Sequence, residues 1–132
     1  MKDKMAFRVN ASLREIDWLS SKVYEKLVPL VGREKAFKTG LLIIEACTNI
    51  VKYGYHYREG DIDVEIGIDQ KDVELTISDS GKPFNPLEKS LPDFSRVEEF
   101  QDGGMGIYLI RSLSKEVSYR YEDGKNHLKL SI

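Results

Sequence analysis

Between Asp61 and Ser78 the chain alternates. Ile62, Val64, Ile66 and Ile68 are interleaved with Asp61, Asp63, Glu65 and Gly67, and Val73, Leu75 and Ile77 with Glu74, Thr76 and Ser78. Successive strand residues point to opposite faces. The pattern therefore predicts two antiparallel strands with one face buried and the other wet. A sheet with one apolar face has to cover it, and the rest of the chain supplies helices for the purpose. Ser12-Leu13-Arg14-Glu15 is a capping-box pattern, in which the hydroxyl and the carboxylate satisfy orphan amides at a helix start. Ile16, Leu19, Val23 and Leu27 then recur at helical spacing, with Pro29 and Gly32 expected to end the helix. A second helix is predicted from about Glu34 to Tyr53, with Gly54 as its stop, and a short one from Met105 to Leu113. Ala6–Val9 reads as a first strand. Val117, Tyr119 and Tyr121, an Asp123-Gly124 turn, and Leu128, Leu130 and Ile132 read as a closing hairpin. The predicted fold class is an α/β two-layer sandwich in one domain, residues 1–132, with about three helices on one face of a mixed, mostly antiparallel sheet.

Composition narrows the function classes. The chain has 20 basic and 22 acidic residues, a net charge of −2, so it carries no overall electrostatic footprint for nucleic acid. Cys47 is the single cysteine. No internal disulfide can form, and its place on the apolar side of a helix predicts an inert core thiol. The N-terminal MKDKMAF lacks a long apolar stretch, and the longest strongly apolar run, Leu41–Ile44, is far too short to span a bilayer. The expectation is a soluble cytoplasmic protein with no direct nucleic-acid or membrane partner. His56 and His127 lack metal-ligand spacing and read as surface residues. Trp18 reads as a helix-packing residue, or as an interface residue if exposed.

Three segments carry candidate chemistry. In the second predicted helix, Leu41, Leu42, Ile43, Ile44, Ala46, Cys47, Ile50 and Val51 occupy most of the circumference at about 100° per residue, which is the mark of a buried helix. Glu45, Asn49 and Lys52 form one polar stripe on it. The stripe is either the solvated edge of a partly exposed helix or a site. In a site, the amide oxygen of Asn49 is a good ligand for a hard cation and Glu45 a general base beside it. The second segment is Asp79-Ser80-Gly81-Lys82-Pro83-Phe84, at the end of a strand. It reads as a plain turn, or as an aspartate that accepts a hydrogen bond from an exocyclic amine, with glycine leaving room for a ligand. The third is Gly103-Gly104-Met105-Gly106, which opens a helix. It is a flexible lead-in loop or an anion cradle formed by free amides at a helix start. The Gly-Lys-Ser/Thr ending of a P-loop is missing, and no βαβ unit makes it a dinucleotide fingerprint. Ser80–Gly104 between the last two holds Pro83, Pro86, Pro92 and three of the ten glycines. A loop of this length in a compact domain is usually functional or mobile.

In this order the three segments resemble the N, G1 and G2 boxes of the GHKL (Bergerat-fold) ATPase superfamily. Glu45-Ala46-Cys47-Thr48-Asn49 is similar to the N box, Asp79-Ser80-Gly81 to G1, and Gly103-Gly104-Met105-Gly106 to G2. Within the superfamily, EACTNIVKYGY (45–55), DSGKPFNP (79–86), GGMGIYLIRSLSKEV (103–117) and GKNHLKL (124–130) resemble the anti-sigma-factor serine/threonine kinases. The resemblance implies the Bergerat fold and a pocket for ATP with Mg²⁺. Glu45 would be the catalytic base and Asn49 the Mg²⁺ ligand. Asp79 would bond the adenine amine, with Gly81 letting the base sit close. Gly103, Gly104 and Gly106 would hold the phosphates under a lid over roughly 87–102. Tyr53 stands where that family often has histidine. Thr48 reads either as support for the metal shell or as core, and Arg111 as a solvated residue or a contact to phosphate or partner. The implied activity is phosphoryl transfer to a serine or threonine of a STAS-type anti-sigma-factor antagonist by a homodimeric kinase that also sequesters a sigma factor. The alternative is a nucleotide-gated binding module without turnover. The ATP-binding domain of a histidine kinase is disfavoured, because only about thirty residues precede the N-box helix.

Overall fold

The computed structural model describes residues 2–88 and 104–132. Strand β1 (Lys2–Asn10) leads into helices α1 (Leu13–Val31) and α2 (Arg33–Asn49), and α2 continues into a π-turn over Ile50–Gly54. Strands β2 (Asp61–Asp69) and β3 (Asp72–Asp79) follow, then a 3₁₀ turn (Pro86–Glu88), helix α3 (Gly104–Leu113), and the hairpin β4 (Glu116–Glu122) and β5 (Lys125–Ser131). The five strands form one sheet in the order β1-β2-β3-β5-β4. Every neighbouring pair is antiparallel, so among the described residues the sheet contains no parallel component. The α/β two-layer sandwich expected from the sequence is the observed architecture.

The alternation in β2 and β3 places Ile62, Val64, Ile66, Ile68, Val73, Leu75 and Ile77 in the core, all buried. Leu128, Leu130 and Ile132 extend the same face into the last strand and the chain end, and Ile16, Leu19, Val23 and Leu27 of α1 and Leu42, Ile43, Ala46 and Cys47 of α2 cover it. Helix α2 touches both α1 and α3 and lies over β3. Trp18 is 56% exposed, on the side of α1 away from the core stripe. No helix among the described residues is long and apolar enough to cross a membrane.

Three local features differ from the sequence reading. Strand β1 begins at Lys2, four residues earlier than Ala6. Its charged start hides the strand pattern, as edge strands often do, and Arg8 holds Asp63 of β2 through two hydrogen bonds of 2.7 and 3.2 Å. At the start of α1, Ser12 Oγ accepts the Glu15 amide at 3.2 Å. The Glu15 carboxylate, however, reaches past the cap to the Asn10 backbone amide at 3.0 Å, because the Ser12 amide already donates to the Asn10 carbonyl at 2.7 Å. Pro29 lies inside α1, which continues to Val31 and ends at Gly32 (φ 90°).

Candidate functional site

The ends of α2 and β3 and the start of α3 meet in one place. Glu45 and Asn49 lie one turn apart on α2 and share a face. Asn49 is 6% exposed, and among the described residues its buried Nδ2 has no hydrogen-bond partner. The solvated-edge reading of the stripe therefore fails at Asn49. Glu45 is half-buried, and burial pushes its carboxyl above the ordinary value, with the charge of Lys52 pulling the other way. A Cβ on Gly106 would lie 2.5 Å from Glu45 Oε2, so the first turn of α3 rests against this carboxylate, and only a glycine allows the approach. Gly104 opens α3. Gly103 and, after Glu88, the expected lid segment lie outside the described residues.

Helix α2 does not run unbroken to Tyr53 as predicted. From Ile50 it widens, and the Tyr55 amide donates to the Ile50 carbonyl at 2.9 Å, a five-residue step. Such π-turns recur at functional sites. Here the turn carries Gly54 to the loop after β3. The Lys82 amide donates to the Gly54 carbonyl at 2.9 Å, and a Cβ on Gly81 would lie 2.6 Å from the Gly54 carbonyl carbon. Tyr55 Oη ties the same loop down, accepting the Ser80 amide at 2.9 Å and donating to the Asp61 carbonyl at 2.7 Å. Tyr53 stacks on Phe84, ring centroids 4.8 Å apart.

Asp79 ends β3 on the core face and is 5% exposed. Its Oδ1 accepts the Gly81 amide at 2.8 Å and Asn126 Nδ2 at 3.0 Å. Burial raises its carboxyl above the usual range, while those two hydrogen bonds and His127 oppose the rise. Ala46, Asn49, Ile77, Asp79, Phe84 and Ile110 line a narrow cavity of about 20 Å³, room for about one water molecule. An apolar slot with one carboxylate at its wall suits a flat base that carries an amine, but the slot has to widen to admit one.

Asn126 escaped the sequence reading. The signal was there, since its parity matches Leu128, Leu130 and Ile132 and so puts an amide on the core face. Arg111 donates to the Leu87 carbonyl, tying α3 to the 3₁₀ turn. Cys47 is fully buried and its thiol is pushed up to about 12 by burial, in keeping with an inert core position. His56 (φ 53°) leaves the π-turn exposed. His127 Nδ1 lies 3.0 Å from Ser78 Oγ.

A helix start against a glutamate, a buried amide and a strand-end aspartate are thus grouped at one end of an antiparallel sheet. Residues 21–132 match the family described as Histidine kinase-like ATPase domain, and the chain belongs to it. It is also similar to proteins named Serine-protein kinase RsbW. Those of Bacillus thuringiensis (strain Al Hakam) and Bacillus cereus (strain 03BB102) are 33% identical over 89 residues, and that of Bacillus mycoides (strain KBAB4) is 30% identical over 93. Each match covers 64% of this chain and 56% of the relative. The chain thus spans about half the length of the curated relatives it matches.

Proposed function

We propose that this chain is a Mg-ATP-dependent protein serine/threonine kinase that acts as an anti-sigma factor and phosphorylates a STAS-type antagonist. The observation that carries the reading is the contact of Glu45 with Gly106, one turn along α2 from the unmet amide of Asn49. The family match and the kinase relatives support it. Asn49 fits a hard cation, because its Nδ2 has no partner among the described residues, and rotation of the amide presents its oxygen. Among the described residues no group of three His, Cys, Asp or Glu could hold a metal ion. At a cation held by Asn49, phosphate oxygens would supply further ligands, which is how Mg²⁺ usually binds.

When bound, Mg-ATP supplies the phosphoryl group and a charge to neutralise it. Asp79 would orient the adenine through its amine, and Gly81 leaves the space beside it. The amides that open α3, with Gly104 and Gly106 and the adjoining Gly103, would hold the phosphates. Glu45 would accept the proton of the incoming serine or threonine hydroxyl. The raised carboxyl makes it a stronger base than an exposed glutamate. The sigma factor, the antagonist, a homodimeric state and a cytoplasmic setting follow from the kinase resemblance.

The test is radiolabelled ATP with proteins that co-purify from the native host. An acid-stable label on a serine or threonine of a partner is expected, with transfer lost in Glu45→Ala and ATP binding kept. Tight ATP binding without transfer to any partner would favour the nucleotide-gated binding module instead.

A further inference from the structure

Asn126 of β5 pairs directly across the sheet with Asp79 of β3 and is 5% exposed. Its side chain has five partners. Nδ2 donates to Asp79 Oδ1 and to the Lys82 carbonyl, each at 3.0 Å, and to the Gly81 carbonyl at 3.3 Å. Oδ1 accepts the Phe84 amide at 3.1 Å and the Tyr119 hydroxyl. These partners dictate the orientation of the amide. A peptide N–H only donates and a carbonyl only accepts, so a flipped amide would oppose Phe84, Gly81 and Lys82 at once. Two N–H groups already serve three acceptors, which leaves nothing of Asn126 for a ligand.

The effect on Asp79 is specific. Oδ1 receives both the Gly81 amide and Asn126, and among the described residues no hydrogen bond reaches Oδ2. Two donors on one oxygen fix the rotation of the carboxylate and leave the other oxygen as the acceptor still open. We propose that Asn126 is the positioning residue of the base-recognition site: it holds Asp79 with Oδ1 engaged and Oδ2 open, so that the pocket selects a base by the amine it carries. This rests on the nucleotide reading above.

Asn126→Asp removes the donor side of the residue, the hydrogen bonds to the Gly81 and Lys82 carbonyls as well as the one to Asp79, and leaves the acceptor side. It keeps an acceptor for Phe84 and Tyr119 but at neutral pH cannot donate to Asp79. Asn126→Ala removes everything. Two readouts apply to the wild type and both variants. One is the titration of the Asp79 carboxyl carbon by NMR without ligand. The other is calorimetric affinity for ATP and for purine riboside triphosphate, which lacks the amine. The wild type is expected to prefer ATP by about 10- to 100-fold, the range of a hydrogen bond to a charged group. Both variants should bring that ratio close to one at neutral pH, and Asp79 should titrate higher in Asn126→Ala.

In Asn126→Asp the two carboxyls would share a proton, so the preference for ATP should return as the pH is lowered. Among the described residues, Cys47 of α2, Tyr55, Tyr119 of β4 and His127 of β5 act on or feel the charge of Asp79, and Arg8, Asp61, Asp63 and Lys125 line a cavity with it. Cys47, Tyr55 and Tyr119 are all raised further from the acidic range, so His127→Gln, Asp61→Asn and Asp63→Asn are the controls. An unchanged preference for ATP in Asn126→Ala, or an unchanged Asp79 titration, overturns the proposal. A wild type that binds neither nucleotide overturns the nucleotide reading and base selection with it, while the carboxyl titration still decides whether Asn126 holds Asp79.

Discussion

Gly106 of α3 and Glu45 of α2 are so close that a methyl group on the glycine would lie 2.5 Å from the carboxylate oxygen. The obstructing atom is the far end of a flexible side chain, so Gly106→Ala should fold, with the Glu45 carboxylate displaced. If Glu45 is the base, its misplacement by about 1 Å costs on the order of a hundredfold in transfer, and ATP affinity changes much less. Single-turnover transfer measured beside the ATP dissociation constant checks this. Equal transfer by the variant and the wild type would remove Glu45 from the chemistry.

The same carboxylate gives a pH prediction. Burial raises Glu45 above its ordinary value of 4.5, so the folded state binds its proton more tightly than the unfolded chain. Its contribution to stability is fully present below the unfolded pKa and is lost as pH rises through the folded one. At pH 7 the buried charge is therefore a burden, and Glu45→Gln should melt higher than the wild type. That gain should vanish as the pH falls below about 4.5. Transfer should behave in the opposite sense, rising with pH as Glu45 ionises and levelling off above its raised pKa. Thermal melts of both proteins across pH 4–8 decide the stability half, and a melting difference independent of pH would contradict it.

Gly81 meets a harder obstacle. A Cβ there would lie 2.6 Å from the Gly54 carbonyl carbon and 2.8 Å from its Cα, and backbone cannot swing aside. Gly81→Ala should separate the π-turn from the loop that carries Asp79, break the Lys82–Gly54 hydrogen bond, and destabilise by about 1–3 kcal/mol, as overpacking does. ATP affinity should fall with it. Urea unfolding that matches the wild type would show that the two segments move apart without penalty.

Much of this arrangement was legible in the sequence because it obeys simple periods. Alternation at Ile62–Ile68 and Val73–Ile77 gave the sheet, and parity carried to Asp79 puts that residue on the core face. The 3.6-residue period at Leu41–Val51 gave a buried helix with Glu45 and Asn49 on one stripe. The π-turn at Ile50–Gly54 was not legible, because its cause is tertiary. Gly54 has to meet Gly81, and nothing in the local sequence says so. For Asn126 the parity was legible but its partners were not. Its five hydrogen bonds join it to β3, β4 and the loop after β3, and only the assembled sheet brings them together. The continuation of α1 through Pro29 likewise reflects packing of Val31 into the core over local preference.

Asn49 supplies the sharpest separation of binding from folding. Its Nδ2 is buried and, among the described residues, unpartnered, which costs about 1–3 kcal/mol, and asparagine is a poorer mid-helix residue than leucine by roughly 0.5 kcal/mol. Asn49→Leu, close in size and without the polar group, should therefore be at least as stable as the wild type when nucleotide and Mg²⁺ are absent. If Asn49 ligates the cation, the variant should also lose the part of ATP affinity that depends on Mg²⁺, so that its affinities with Mg²⁺ and with EDTA become equal. Urea unfolding and calorimetry on the same preparations measure both quantities. Loss of about 1 kcal/mol or more of stability, together with intact Mg²⁺-dependent binding, would instead make Asn49 a structural residue and leave the cation to other groups.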